Sequence, residues 1–214
     1  MIRGTGIDST VKLYLKGNGA NGSTKFFDDS QTHRTITAVG TAAISNAQSK
    51  FGGSSMLLSG DGNYISFPMT GITIGTGDFS LCGWIYPTSL PTAGWITGVG
   101  TRLFDIRYDP GGNGLSFADD GTNMKGSRVS NMSTDTWQYI CITRASNVLK
   151  MYLGGSQQGG NFTDNSDIDL STYSGRLGGA AEGSGFNLPG YYDDWIIIVG
   201  HAIDGTKVPT RQRG

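Results

Sequence analysis

The stretch Tyr191-Tyr192-Asp193-Asp194-Trp195-Ile196-Ile197-Ile198-Val199, set between Gly190 and Gly200, is the most apolar and most β-prone run in the chain. Aromatic and β-branched residues this dense predict a strand buried on both faces. Two adjacent carboxylates do not belong in such a strand without partners. Asp193 and Asp194 therefore need hydrogen-bond donors, a cation or water at a sheet edge. Neighbours on a regular strand point to opposite faces, which predicts separate roles for the two acids.

Working outward, the sequence reads as further strands: 11–15, 35–39, 51–58, 64–68, 78–86, 95–97, 103–108, 115–117, 137–144, 148–153 and 173–178. Asp61-Gly62-Asn63 between two alternating runs is a hairpin signal. In the strand from Asp78 to Tyr86, Phe79, Leu81 and Ile85 face one way and Cys82, Trp84 and Tyr86 the other. Residues 154–169 read as a weak strand and a loop, and 41–49 as irregular or one helical turn. Strand signals recur at about 8–14 residues, and no helix of ordinary length is credible, so the expectation is an all-β sandwich. No linker or repeat interrupts it, which predicts one domain over residues 1–214.

Composition agrees. Gly contributes 35 of the 214 residues and charged residues only 15%, which suits polar, turn-rich β structure. A net charge of −1 recruits neither nucleic acid nor an anionic membrane. No apolar run is long enough to span a bilayer, and Met1 to Gly6 lack the apolar core of a signal peptide. Cys82 and Cys141 both lie in strand-like runs. Two buried thiols are the plainer reading, with a disulfide open if the strands are neighbours.

The order of motifs resembles the laminin-G-like, concanavalin-A-like jelly-roll superfamily, in the form common in bacteriophage virion proteins. The first block runs from Phe27-Asp28-Asp29-Ser30 through Phe51-Gly52-Gly53-Ser54-Ser55 to Gly62-Asn63-Tyr64-Ile65. The second is Gly77-Asp78-Phe79-Ser80-Leu81-Cys82-Gly83-Trp84-Ile85. The third joins Trp137–Arg144 to Leu149–Leu153, and the fourth joins Gly175–Gly179 to the opening strand. Gly200-His201-Ala202 to Lys207-Val208-Pro209-Thr210 is similar to the phage variants. The resemblance implies a two-sheet antiparallel jelly-roll sandwich that binds glycans or proteins. It also implies a Ca²⁺ ion on the late-strand aspartate, here Asp193; Asp29 and carbonyls near Gly17 are the candidate co-ligands. Lys16 stands where the phage relatives carry an aspartate, so the alternatives are a bound ion, or Lys16 supplying the positive charge in its place while Asp193 caps backbone N–H groups.

Catalysis is disfavoured. Glycoside hydrolysis needs two converging carboxylates. Glu182 is the only glutamate, and Asp119-Asp120 and Asp193-Asp194 are sequence neighbours. Neither His33 nor His201 has the context of a catalytic base. Sugar recognition would use exposed aromatics beside polar groups, for which Trp95, Tyr108, Tyr173, Tyr191 and Tyr192 are the candidates. The expectation is a non-enzymatic virion protein, either a capsid decoration or a tail-associated accessory or adhesin. It would be made in the host cytoplasm without a signal peptide. Its partners would be other virion proteins and host surface glycans, and it would be oligomeric in the particle without inserting into a membrane. A stand-alone carbohydrate-binding lectin is the alternative, and a glycoside hydrolase the least favoured reading.

Overall fold

The computed structural model describes residues 8–91, 94–100, 103–109, 114–118, 124–126, 132–180 and 187–213. Among these are strands β1 (Val11–Leu15), β2 (Thr37–Val39), β3 (Ala43–Ser45), β4 (Ser55–Leu58), β5 (Tyr64–Pro68), β6 (Thr73–Gly75), β7 (Phe79–Pro87), β8 (Gly94–Val99) and β9 (Asp105–Asp109). There follow β10 (Gly114–Ala118), β11 (Met124–Gly126), β12 (Gln138–Ala145), β13 (Val148–Leu153), β14 (Ser156–Thr163), β15 (Ile168–Asp169), β16 (Ser174–Leu177) and β17 (Gly190–Val199). The described residues contain no helix.

An eight-stranded sheet runs β14-β13-β12-β7-β17-β4-β3, with β1 also on β17. A seven-stranded sheet runs β11-β10-β9-β8-β16-β5-β2, and β15 pairs β6 in a small ribbon. All the strand pairings are antiparallel. The two large sheets pack as a jelly-roll sandwich, as the strand rhythm predicts.

The opening stretch, β17, sits in the middle of the larger sheet. Its first residues, Gly190 to Tyr192, pair with β4, and Trp195 to Ile198 pair with β1. Its apolar residues feed two cores. Tyr192, Trp195 and Ile197 join the core shared by both sheets, with Leu13, Phe79, Leu81, Ile85, Ile106 and Phe117. Ile196 and Ile198 join a second cluster on the outer face, with Tyr14, Cys82, Trp84, Tyr139, Cys141 and Tyr152. Phe51, Ile203 and Val208 cover that outer cluster. The alternation expected for β7 and the double burial expected for β17 are both present.

Gly83 faces Trp195 across the sheet. A Cβ there would fall 1.9 Å from the indole ring, so only glycine leaves room for this fully buried side chain. Arg144 is another keystone. Its guanidinium is buried against Asp164 at 3.1 Å and donates to the carbonyls of Gly75, Gly77 and Ser166.

Two expectations need correction. Cys82 and Cys141 form a disulfide rather than two free thiols, because β7 and β12 are neighbours whose register sets the two residues opposite each other, Cα atoms 4.1 Å apart. Residues 43–45, expected to be irregular or helical, form edge strand β3, drawn onto β4 by burial of Ile44.

Candidate functional site

β17 changes partner from β4 to β1 at its two aspartates. Asp193 lies opposite Trp84 and Ile196 opposite Cys82, so Asp194 and Trp195 together face Gly83 across a β-bulge. Asp194 takes a φ of +51°, a conformation Asp tolerates better than most residues. The extra residue returns Trp195 to the shared core and leaves both carboxylates on the outer side. The expectation that they point to opposite faces is therefore corrected, since it assumed an unbroken pleat.

Both acids are fully buried, with different partners. Asp194 accepts from the Tyr14 hydroxyl at 2.5 Å and pairs with the Arg213 guanidinium at 2.5 Å. Arg213 also donates to the Tyr139 hydroxyl, and its own carbonyl accepts from Tyr14. The segment from Gly200 to Arg213 is thereby fastened across the outer cluster, with Ser80 holding it at His201 and Ile203. Oδ2 of Asp193 accepts the backbone N–H groups of Lys50 and Phe51 at 2.9 and 3.0 Å, whereas Oδ1 has no hydrogen-bond partner among the described residues.

Burial pushes the Asp193 carboxyl up to about 7. The Phe51 and Lys50 amides oppose the rise, and the nearby Asp194 charge adds to it. The folded value lies above the ordinary 3.8, so the folded state holds this proton more tightly than the unfolded chain. The resulting stabilisation is complete below the unfolded value and is lost as pH rises through the folded one. Urea unfolding should thus show stability falling by a few kcal/mol, in order of magnitude, as pH rises across that window. Asp193→Asn should flatten the fall, and an unchanged slope would assign the proton to another group.

Asp29 lies elsewhere. It lines a cleft of about 230 Å³ with Lys16, Gly17, Asn18, Phe26, Phe27, Ile44 and Met56, and it shares no hydrogen-bond partner with Asp193. Calcium wants several hard oxygens at one point. Among the described residues no three His, Cys, Asp or Glu side chains are grouped to hold a metal. Asp193 accepts two backbone amides and is not brought together with Asp29. His33 contacts the Asp28 carbonyl through Nδ1, and His201 is exposed. Glu182 and Asp119-Asp120 lie outside the described residues.

The five candidate aromatics separate by burial. Tyr192 is fully buried, with its hydroxyl on the Leu188 carbonyl, and Tyr108 belongs to the shared core. Both are packing residues, which corrects their place among ligand contacts. Trp95 and Tyr191 are half-buried, and Tyr173 is exposed. Tyr191 packs edge-on against Tyr86, which packs against Trp137.

On the smaller sheet Trp95 pairs with Arg107, whose guanidinium lies 5.4 Å above the indole. On the same outer face Arg176 lies 4.5 Å above the Tyr64 ring. Gly98, Ser66 and Thr37 continue the Arg176 row across neighbouring strands. The two arginine–aromatic pairs are partly exposed on this face, and Arg176 also donates to the Ala180 carbonyl. Tyr64, Arg107 and Arg176 escaped the sequence reading. Each adjoins a core residue in its strand, Ile65, Ile106 and Leu177 respectively, so strand alternation alone would have placed them outside.

The family model described as the concanavalin A-like lectin/glucanases superfamily matches residues 59–198. No curated protein matches the chain by sequence. Among solved structures, the chain is similar to domain 4 of AbnA, a GH43 extracellular arabinanase from Geobacillus stearothermophilus, in complex with arabinotriose. The two share 18% identity over 92% of this chain and 96% of that one, with a TM-score of 0.66. It is similar also to the ligand binding domain of botulinum neurotoxin serotype D in complex with N-acetylneuraminic acid, at 15% identity over 92% of this chain, TM-score 0.67. A third is Trypanosoma rangeli sialidase, at 12% identity over 94% of this chain, TM-score 0.62. This chain spans 49% of the toxin structure and 32% of the sialidase, and at such identities the likeness shows the fold alone. The family match covers more than half the sequence, and its residues include both halves of the sandwich: the chain belongs to the concanavalin A-like lectin/glucanases superfamily.

Proposed function

We propose that the protein is a non-enzymatic carbohydrate-binding jelly roll. The observation that carries this is the outer face of the smaller sheet, where Trp95 and Tyr64 stand half-exposed under Arg107 and Arg176. Aromatic rings offer stacking surface to the C–H face of a sugar, and guanidinium N–H groups donate to its oxygens. The sugar-bound relatives named above support the reading. The absence of catalysis is supported by the described carboxylates. Asp193 and Asp194 are buried, on the Lys50 and Phe51 amides and on Arg213 respectively, and Asp28 and Asp164 are committed to buried partners.

Glycan-array screening of the purified chain, followed by titration, tests this. Trp95→Ala should weaken the best ligand at least about tenfold, or 1.4 kcal/mol, and leave melting nearly unchanged. Equal binding by wild type and variant would remove the smaller sheet from the site, and turnover of any glycan would overturn the non-enzymatic reading.

A place in a bacteriophage particle, as capsid decoration or tail accessory, is the finer reading. The phage-like segment Gly200–Thr210 supports it, here serving as the cover of the outer cluster. Mass spectrometry of purified particles would find the chain at a fixed copy number, and absence from particles would refute it.

A further inference from the structure

The most exposed large apolar side chain among those described is Phe27, at 66%. It did not arise from the sequence, because it lies outside any strand, in a single bridge to Thr35. Its exposure is built in. The neighbouring Asp28 is buried and uses both carboxylate oxygens as a staple. Oδ1 accepts from the N–H groups of Tyr14 and Ser30, and Oδ2 from the Ser30 hydroxyl and the Arg34 N–H, at 2.8–2.9 Å. Asp29 is tied by its own N–H to the Tyr14 carbonyl. With Asp28 turned inward and the loop pinned at both ends, Phe27 and Asp29 are held out on either side of it.

Phe27 also divides two clefts. The smaller, about 230 Å³, contains Lys16, Gly17, Asn18 and Asp29. The larger, about 430 Å³, contains Lys25, His33, Thr35 and again Asp29. The Asp29 carboxylate makes no hydrogen bond or ion pair with another described residue, and Asp29 is only partly exposed. Asn18 is fixed by its amide contact with Gln212 at 3.0 Å. Gly17, at φ +72°, lets the backbone pass close to Ser55.

We propose that these clefts form a second sugar site, in which Phe27 is the stacking platform and Asp29 the hydroxyl acceptor for an uncharged hexose ring. Phe26, Ile44 and Met56 in the smaller cleft are buried, so Phe27 is a single exposed ring and not the extended apolar patch that protein partners require. It does match a sugar, whose C–H face stacks while its hydroxyls take directional bonds. A carboxylate with two open oxygens accepts from two adjacent hydroxyls. The smaller cleft is below the usual range for larger ligands and suits one ring. Its two charged side chains, Lys16 and Asp29, cancel, which favours a neutral sugar over an acidic one. The larger cleft, sharing Phe27 and Asp29, gives the next residue of the glycan a path across the ring. This site rests on the carbohydrate-binding reading but is separate from the Trp95 face.

The test is a ¹H–¹⁵N titration of the whole chain with methyl hexosides of several configurations, and with N-acetylneuraminic acid as the charged probe. At least one methyl hexoside should shift the amides of Gly17, Asn18, Phe27 and Asp29 with millimolar affinity. Phe27→Ala and Asp29→Asn should each weaken that response at least about tenfold, while Trp95→Ala leaves it intact. Phe27 is exposed and the Asp29 carboxylate holds no described partner, so the variants should melt nearly like the wild type, and the amide spectrum verifies the fold directly. No shift at these amides with any neutral sugar, an equal response in Phe27→Ala, or a response to N-acetylneuraminic acid alone would each overturn the proposal. Loss of array binding in Trp95→Ala with no shift at Phe27 would sink this site while leaving the smaller-sheet reading standing.

Discussion

Replacing Arg144 with Leu lowers the unfolding free energy by about 3–5 kcal/mol, the range for removing one partner of a buried ion pair. The side chains of Arg144 and Asp164 are both completely shielded. Without the guanidinium, the Asp164 carboxylate is left charged in a low-dielectric place. The carbonyls of Gly75, Gly77 and Ser166 lose a donor at the same moment. The guanidinium also lies 5.1 Å from the Phe79 ring centre, so packing is lost with the charge. For a chain of this size each kcal/mol moves the melting temperature by about 2–4 °C, which predicts a drop of about 6–20 °C by calorimetry. Combining Arg144→Leu with Asp164→Leu should recover part of the loss, because the stranded charge is then gone. A drop of less than about 1 kcal/mol for the single variant would show that water reaches the pair.

Gly83→Ala is the second large effect. The new methyl carbon would meet the Trp195 ring at 1.9 Å, and Trp195 is itself fully buried with no free side to turn to. Overpacking of a closed core costs about 1–3 kcal/mol and sometimes more, and a collision this deep belongs at the top of that range. Denaturant melts would register it as a lower midpoint at an unchanged slope. The pair supplies its own control. Trp195→Leu alone opens a cavity and costs several kcal/mol in order of magnitude, as large-to-small core changes do. Joined with Gly83→Ala, it should cost less than the sum of the two, with a coupling of about 1–3 kcal/mol. Strict additivity would mean that the methyl and the indole do not compete for the same space.

The sequence carried much of the fold because its apolar residues alternate cleanly. β7 shows Phe79, Leu81 and Ile85 on one side and Cys82 and Trp84 on the other, and the structure keeps them so. What escaped depends on register. The disulfide needed β7 beside β12 with Cys82 directly across from Cys141, and no local pattern announces that pairing. The bulge at Asp194 was hidden for a similar reason. Two residues there face the single Gly83, and only the partner strand reveals the extra one. At the candidate sites, residues chosen for being aromatic were divided by burial, which aromatic character does not predict. Tyr192 went inside, while Trp95 kept a face to solvent. Phe27 was invisible because its exposure is imposed by the burial of Asp28 beside it.

The central place of β17 also governs when the molecule can assemble. β1 leaves the ribosome well before β17, its sheet partner. Tyr14 and Asp194, which meet in the sheet, are 180 residues apart in sequence. Loop-closure entropy for such a contact is spent before its reward arrives, and topologies of this kind fold slowly. Until residues 190–199 emerge, the edges of β7 and β4 that will hold them remain open to other strands. The nascent chain is therefore most vulnerable to aggregation in the interval before residues 190–199 emerge. The strand that finishes the sheet is also the one that ends this exposure.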